Sequence, residues 1–106
     1  ITQEHPDVDG IFVITDLVAV GVLTYCTKKG IKIPDDIAVI GFSNWFMSQV
    51  ITPQLSTVDQ PSYEMGVAAF SLLLEEMICR KDNIPFKPKT IELPTSIIER
   101  ESTLKN

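Results

Sequence analysis

The chain reads as an α/β domain built on a parallel sheet, and two stretches carry that expectation. Residues 8–14, ending Gly10-Ile11-Phe12-Val13-Ile14, and residues 37–42, Ile37-Ala38-Val39-Ile40-Gly41-Phe42, are near-continuous apolar runs rich in β-branched side chains. Such runs suit strands covered on both faces, the habit of parallel rather than antiparallel sheets. A helix-length segment closed by Gly30 separates them. Strand, helix and strand make a βαβ unit, whose strands run parallel with a right-handed crossover.

The elements follow in order. Pro6-Asp7 leads into the first strand, and Asp16 stands where a helix cap is needed, its carboxylate suited to the free amides and positive dipole end of the first turn. The helix runs to about Lys29, with Lys28 and Lys29 at its negative end and Gly30 as a left-handed stop. Its residues 17–26 leave almost no polar face, so it is expected either sandwiched in the core or at an interface. After the second strand comes Trp45-Phe46-Met47-Ser48-Gln49-Val50-Ile51, unusually apolar for a loop. Local packing and a subunit interface, where Trp, Phe and Met are enriched, both explain it at this point.

Residues 55–59 form a short extended segment, and Gln60-Pro61 opens a long helix to about Arg80, with Pro61 at its first position. Tyr63, Val67, Phe70, Leu74, Met77 and Ile78 recur at helical spacing and predict a buried stripe. Residues 82–89, with Pro85 and Pro88, read as a surface connection. Residues 90–93 alternate like a half-exposed strand, Pro94 breaks it, and residues 96–99 make a last short strand.

Composition narrows the function. A chain of 106 residues is one domain or a piece of one. It opens on Ile1 rather than Met, so a fragment of a longer protein is expected. Nine Lys and Arg against fourteen Asp and Glu give a net charge of −5, and the basic residues come singly or in pairs. No basic stripe forms to follow a phosphate backbone. No apolar run reaches the ~20 residues of a membrane span. Cys26 and Cys79 lack metal-ligand spacing and read as buried, reduced thiols of a cytoplasmic protein.

The motifs of catalysis are missing. The single histidine, His5, has no nucleophile in a recognisable pattern beside it. Asp35-Asp36 follow Pro34 in a turn, and Glu75-Glu76 fall on the solvent side of the long helix, so neither pair suits acid–base work across a cleft. Phosphate loops, dinucleotide fingerprints and zinc spacing are absent, and neither a catalytic residue, a metal nor a cofactor is expected.

Binding is better supported. In open α/β sheets ligands sit in the crevice outside the carboxyl ends of the strands. Thr15 follows the first strand, Ser43 and Asn44 follow the second, and Gln60 stands at the entry of the long helix. Hydroxyls and amides suit a sugar or polyol, whose many hydroxyls need paired donors and acceptors. From spacing alone, Thr15 and Asn44 serve equally well as helix and turn caps.

Taken together, these motifs resemble the carboxyl-terminal half of the effector-binding core of LacI/GalR-family transcriptional regulators. The matching pieces are Pro6-Asp7-Val8-Asp9-Gly10-Ile11-Phe12, Thr15-Asp16-Leu17-Val18-Ala19-Val20-Gly21 and the run from Gly30 through Ile33-Pro34-Asp35-Asp36-Ile37 to Phe42. They continue with Pro53-Gln54-Leu55-Ser56-Thr57-Val58-Asp59-Gln60-Pro61, Glu64-Met65-Gly66 and Leu93-Pro94 through Arg100-Glu101-Ser102. Their order and spacing span residues 6–103, nearly the whole chain.

The resemblance implies a periplasmic-binding-protein-like α/β fold, here an incomplete one. Residues 1–60 and about 95–106 would form the carboxyl-terminal lobe, and about 61–94 a crossover helix and strand belonging to the other lobe. It implies a cytoplasmic homodimer or tetramer, here a homodimer, whose small-molecule effector closes a cleft, with operator DNA held by an amino-terminal headpiece outside this chain. Thr15 stands where the family commonly has a sugar-contacting Asn, and Ser43 where it has an Asp; Gln60 keeps the usual hinge residue. Losing the carboxylate at Ser43 removes a charge-assisted acceptor, so the effector need not be a typical hexose. The family's dimer surface also draws Leu17, Val20, Leu23, Trp45, Phe46, Met47, Val50 and Ile51 toward an interface. A solute-binding protein for sugar transport, with the same two-lobed fold, is the main alternative; an enzyme on this scaffold is the weaker third.

Overall fold

The computed structural model describes residues 3–105. They form two compact units, the first spanning residues to Gln60 and from Ser96 onward, the second Pro61–Thr95. The first unit holds a four-stranded sheet in the order β1 (Gly10–Phe12), β2 (Ala38–Phe42), β3 (Ser56–Asp59) and β4 (Ser96–Ile98). β1 and β2 are parallel, with Gly10 opposite Ala38 and Phe12 opposite Ile40. β2 and β3 are also parallel, Phe42 opposite Val58, and β4 returns antiparallel beside β3.

Helix α1 (Asp16–Lys29) crosses between β1 and β2 and packs on one face of the sheet. Its buried residues Asp16, Ala19, Leu23 and Cys26 fall at three- and four-residue spacing and form one stripe. Ala19 and Leu23 join Val13, Ile37, Val39 and Leu55 in the core. The remaining apolar surface of α1, including Leu17, Val18 and Tyr25, is exposed. Gly30 ends the helix in the left-handed region at φ 70°, its N–H donating to the carbonyls of Cys26 and Thr27. That conformation strains any residue with a Cβ.

Three expectations are corrected here. The β1 ladder is shorter than residues 8–14, and Phe12 and Ile14 are exposed while Val13 is buried, so only one face of this strand is covered. Thr15, not Asp16, caps α1: its hydroxyl oxygen accepts from the Val18 N–H at 3.2 Å. Asp16 is the first helical residue and points inward instead.

The second unit consists of α2 (Ser62–Lys81) and an extended stretch. No residue of α2 is buried, and Tyr63, Val67, Phe70, Leu74, Met77 and Ile78 are all exposed, against the buried stripe that their spacing predicts. Periodicity identifies an apolar face but not what covers it, and no described element of this unit does. Residues 90–93 carry no strand ladder. Ion pairs of Arg80 with Glu76 at 2.6 Å and Lys89 with Glu75 at 2.8 Å hold the solvent side. Among the described residues no helix is long and apolar enough to cross a membrane.

Candidate functional site

The three parallel strands end at one edge of the sheet. Thr15 follows β1, Ser43 and Asn44 follow β2, and Gln60 follows β3, so the parallel registers bring all four candidates to that edge. The polypeptide leaves β2 in an unusual way: Ser43 and Asn44 both have positive φ, 108° and 49°. Few non-glycine residues take such values, and they persist only where surrounding contacts fix them.

Three successive backbone donors do the fixing. The Ser43 N–H donates to the Val58 carbonyl at 2.9 Å, the Asn44 N–H to Thr57 Oγ1 at 3.1 Å, and the Trp45 N–H to Asp16 Oδ2 at 2.7 Å. The Thr57 hydroxyl donates in turn to Asp16 Oδ1 at 2.6 Å. Both side-chain oxygens of Asp16, a residue 1% exposed, are thus occupied, so neither buried polar atom is left without a partner. Gly41 is what makes room for it. A Cβ there would collide with Asp16 Oδ1 and lie 3.0 Å from Leu55 Cδ2 and 3.3 Å from the Asp16 Cα.

The side chains at the edge divide by what they already hold. Asn44 faces inward: its Nδ2 donates to Asp59 Oδ1 at 2.8 Å and its Oδ1 accepts from Arg100 Nη2 at 2.8 Å. These two bonds hold the turn and leave the half-buried amide one N–H and one carbonyl lone pair for a further partner. Thr15 uses one oxygen lone pair on Val18 and keeps its hydroxyl proton free to donate. The Ser43 hydroxyl is exposed and bonds to no group among the described residues; the Gln60 amide is half-buried and equally uncommitted. Among the four candidates, two hydroxyls and the Gln60 amide keep the most hydrogen-bonding capacity for a ligand.

Beneath the rim lies a polar layer that sequence reasoning missed. Ser56, Thr57 and Ser102 are fully buried, yet all their hydroxyls are bonded. Ser102 Oγ accepts from the Ser56 N–H at 2.8 Å and donates to the Val39 carbonyl at 2.6 Å, stitching the segment after β4 to β2 and β3. The only sequence signal was the density of Ser and Thr within residues 56–57 and 102–103.

The expected interface residues also divide. Leu17, Trp45, Phe46 and Val50 are exposed, and Val20, Met47 and Ile51 are half-buried. Leu23 is 5% exposed and packs into the core, so it offers little surface of its own. Trp45 and Phe46 pack edge to face at 5.0 Å, at the start of a short 3₁₀ helix (Phe46–Gln49). A groove of about 370 Å³ runs between Val20, Thr24, Ile51 and Thr52. Another of about 410 Å³ lies along α1 against Ile11, Val22, Tyr25 and Ile31, away from the strand ends. Its lining is mainly apolar, unlike a sugar site.

A mainly parallel sheet with uncommitted hydroxyl and amide groups at its strand ends has the build of an open α/β lobe, and comparison with known proteins agrees. A family described as periplasmic binding protein-like domain matches residues 1–103. The chain is 34% identical over 101 residues to the ribose operon repressor of Halalkalibacterium halodurans, covering 95% of this chain and 29% of that protein. It is 41% identical over 93 residues to the NTD biosynthesis operon regulator NtdR of Bacillus subtilis, covering 88% and 27%. A LacI family transcriptional regulator from Arthrobacter sp. FB24, solved in complex with lactose, superposes with a TM-score of 0.76 at 34% identity, covering 96% of this chain and 37% of that one. The chain belongs to the periplasmic binding protein-like family, in the form carried by LacI/GalR regulators. It spans under a third of the length of the two curated relatives.

Proposed function

We propose that this chain is the ligand-sensing and dimerising part of a DNA-binding transcriptional regulator, with a sugar or related neutral polyol as its effector. The observation that carries the proposal is the convergence of Thr15, Ser43 and Gln60 on one sheet edge, behind a turn held residue by residue. The relatives named as operon regulators and the lactose complex of a structural neighbour support it. Operator DNA would be gripped by a headpiece outside this chain, since the net charge of −5 offers no phosphate-tracking surface. The protein works in the cytoplasm as a homodimer, joined through Leu17, Val20, Trp45, Phe46, Met47, Val50 and Ile51. It senses rather than turns over its ligand, and no cofactor enters.

A transport-type solute-binding protein is the second reading, because it shares the two-lobed fold. The apolar surface at Leu17, Phe46 and Val50, between 63% and 66% exposed, weighs against it. A monomeric carrier gains nothing from such a patch. The test is a thermal-shift screen of the full-length protein against neutral sugars, sugar phosphates and nucleosides. A ligand that binds only the folded state raises the midpoint, by an amount that grows with concentration. A response to neutral sugars supports the proposal; a flat screen at millimolar concentrations contradicts it.

A further inference from the structure

We propose that Arg100 is a positioning residue that ties the Ser43 turn to the residue 45–50 surface, so that the two move as one body. Its backbone is locked to β3: the Arg100 N–H donates to Ser56 Oγ at 2.7 Å, and that hydroxyl donates to the Arg100 carbonyl at 3.0 Å. From this anchor the guanidinium reaches across the whole excursion between β2 and β3. Nη2 donates to Asn44 Oδ1 at 2.8 Å in the turn, while Nη1 donates to Ser48 Oγ at 2.9 Å in the 3₁₀ helix and to the Leu55 carbonyl at 2.8 Å at the entry to β3. Start, middle and end of the loop hang on one planar group.

The charge is retained without an ion partner. Among the described residues no carboxylate pairs directly with Arg100; Asp59 is reached only through the Asn44 amide, which lies between cation and anion with its oxygen toward one and its nitrogen toward the other. A half-buried cation spent on neutral acceptors makes sense where a rigid fork must hold several groups at fixed positions. Lysine, a point charge on a flexible stem, cannot reproduce that fork. The meaning of the two ends, ligand rim and self-association face, rests on the function proposed above; the mechanical tie does not.

Hydrogen exchange of the full-length protein, read by mass spectrometry, tests the tie. In Arg100→Gln the amides of residues 44–51 should exchange at least about tenfold faster, the loss expected when hydrogen bonds to a charged group disappear. Exchange in β1 and α1 should stay as in the wild type. Arg100→Lys should restore protection in part, and Ser48→Ala, which removes one acceptor, should loosen the same peptides to a lesser degree. Sedimentation velocity should also show weaker self-association of Arg100→Gln. A folded Arg100→Gln with wild-type exchange across residues 44–51 overturns the proposal. If that variant does not fold, unchanged exchange in Ser48→Ala overturns it. A wild-type protein that is monomeric would sink the dimer reading instead, leaving the exchange result to decide the role of Arg100.

Discussion

Replacing Asp16 by Asn changes one atom and a charge, yet it should cost about 2–4 kcal/mol of stability. Asp16 accepts from the Trp45 N–H at 2.7 Å and from the Thr57 hydroxyl at 2.6 Å. An amide offers only one acceptor to these two donors. If its NH₂ faces Thr57, the hydroxyl oxygen can accept it alongside the Asn44 N–H, but the hydroxyl proton is then orphaned in a site that is 1% exposed. If it faces Trp45, two N–H groups oppose each other. Either way one buried donor is left unmet, at about 1–3 kcal/mol, and the surviving bond loses its charge assistance, roughly 1 kcal/mol more. For a domain of this size each kcal/mol lowers the melting midpoint by about 4–8 °C, so Asp16→Asn should melt at least ~8 °C lower. Circular dichroism during heating, with urea unfolding for the free energy, measures it. Thr57→Val in both backgrounds should give a coupling of at least ~1 kcal/mol. A loss below about 0.5 kcal/mol would refute the claim that the buried carboxylate anchors the turn.

Three further outcomes follow from the same geometry. Gly41→Ala places a methyl against Asp16 and 3.0 Å from Leu55, so it should destabilise by about 1–3 kcal/mol, read as a fall in urea midpoint at unchanged slope. Phe46→Ser removes a ring that is 63% exposed, so sedimentation velocity should show self-association weakened at least about tenfold while thermal stability changes little. Burial pushes the Cys26 thiol above its ordinary range, so alkylation should modify half-buried Cys79 first and reach Cys26, expected to be buried and now found so, only on unfolding. The sign for stability is set by that direction. The native state favours the neutral thiol, so the contribution of Cys26 is intact at neutral pH and is lost as pH climbs through the folded-state value.

The βαβ unit was legible because its signals are local: two β-branched runs, a helix-length spacer and a glycine stop. The register that brings Thr15, Ser43 and Gln60 to one edge followed from parallel pairing alone. What escaped was set by contacts between residues distant in sequence. Asp16 and Thr15 both qualify as caps, and only the approach of Thr57 and the Trp45 amide, 41 and 29 residues away, draws Asp16 inward. Asn44 was legible as a polar strand-end residue, but its structural bond to Arg100, 56 residues on, was not. Leu23 and Leu17 are the same residue type on the same helix, and only the direction of the sheet separates core from surface. The stripe of α2 shows the converse, since helical periodicity states that a face is apolar and is silent on whether it is covered.

The central claim, that the strand-end rim binds a neutral effector, is tested most directly by calorimetric titration of the full-length protein with the sugar that gives the largest thermal shift, for the wild type and for Ser43→Ala. The Ser43 hydroxyl makes no bond within the described residues, so its loss should leave the melting midpoint within about 2 °C while weakening affinity roughly five- to twentyfold, the worth of a hydrogen bond to a neutral ligand group. Wild-type affinity in a folded Ser43→Ala would place the effector elsewhere and contradict the account.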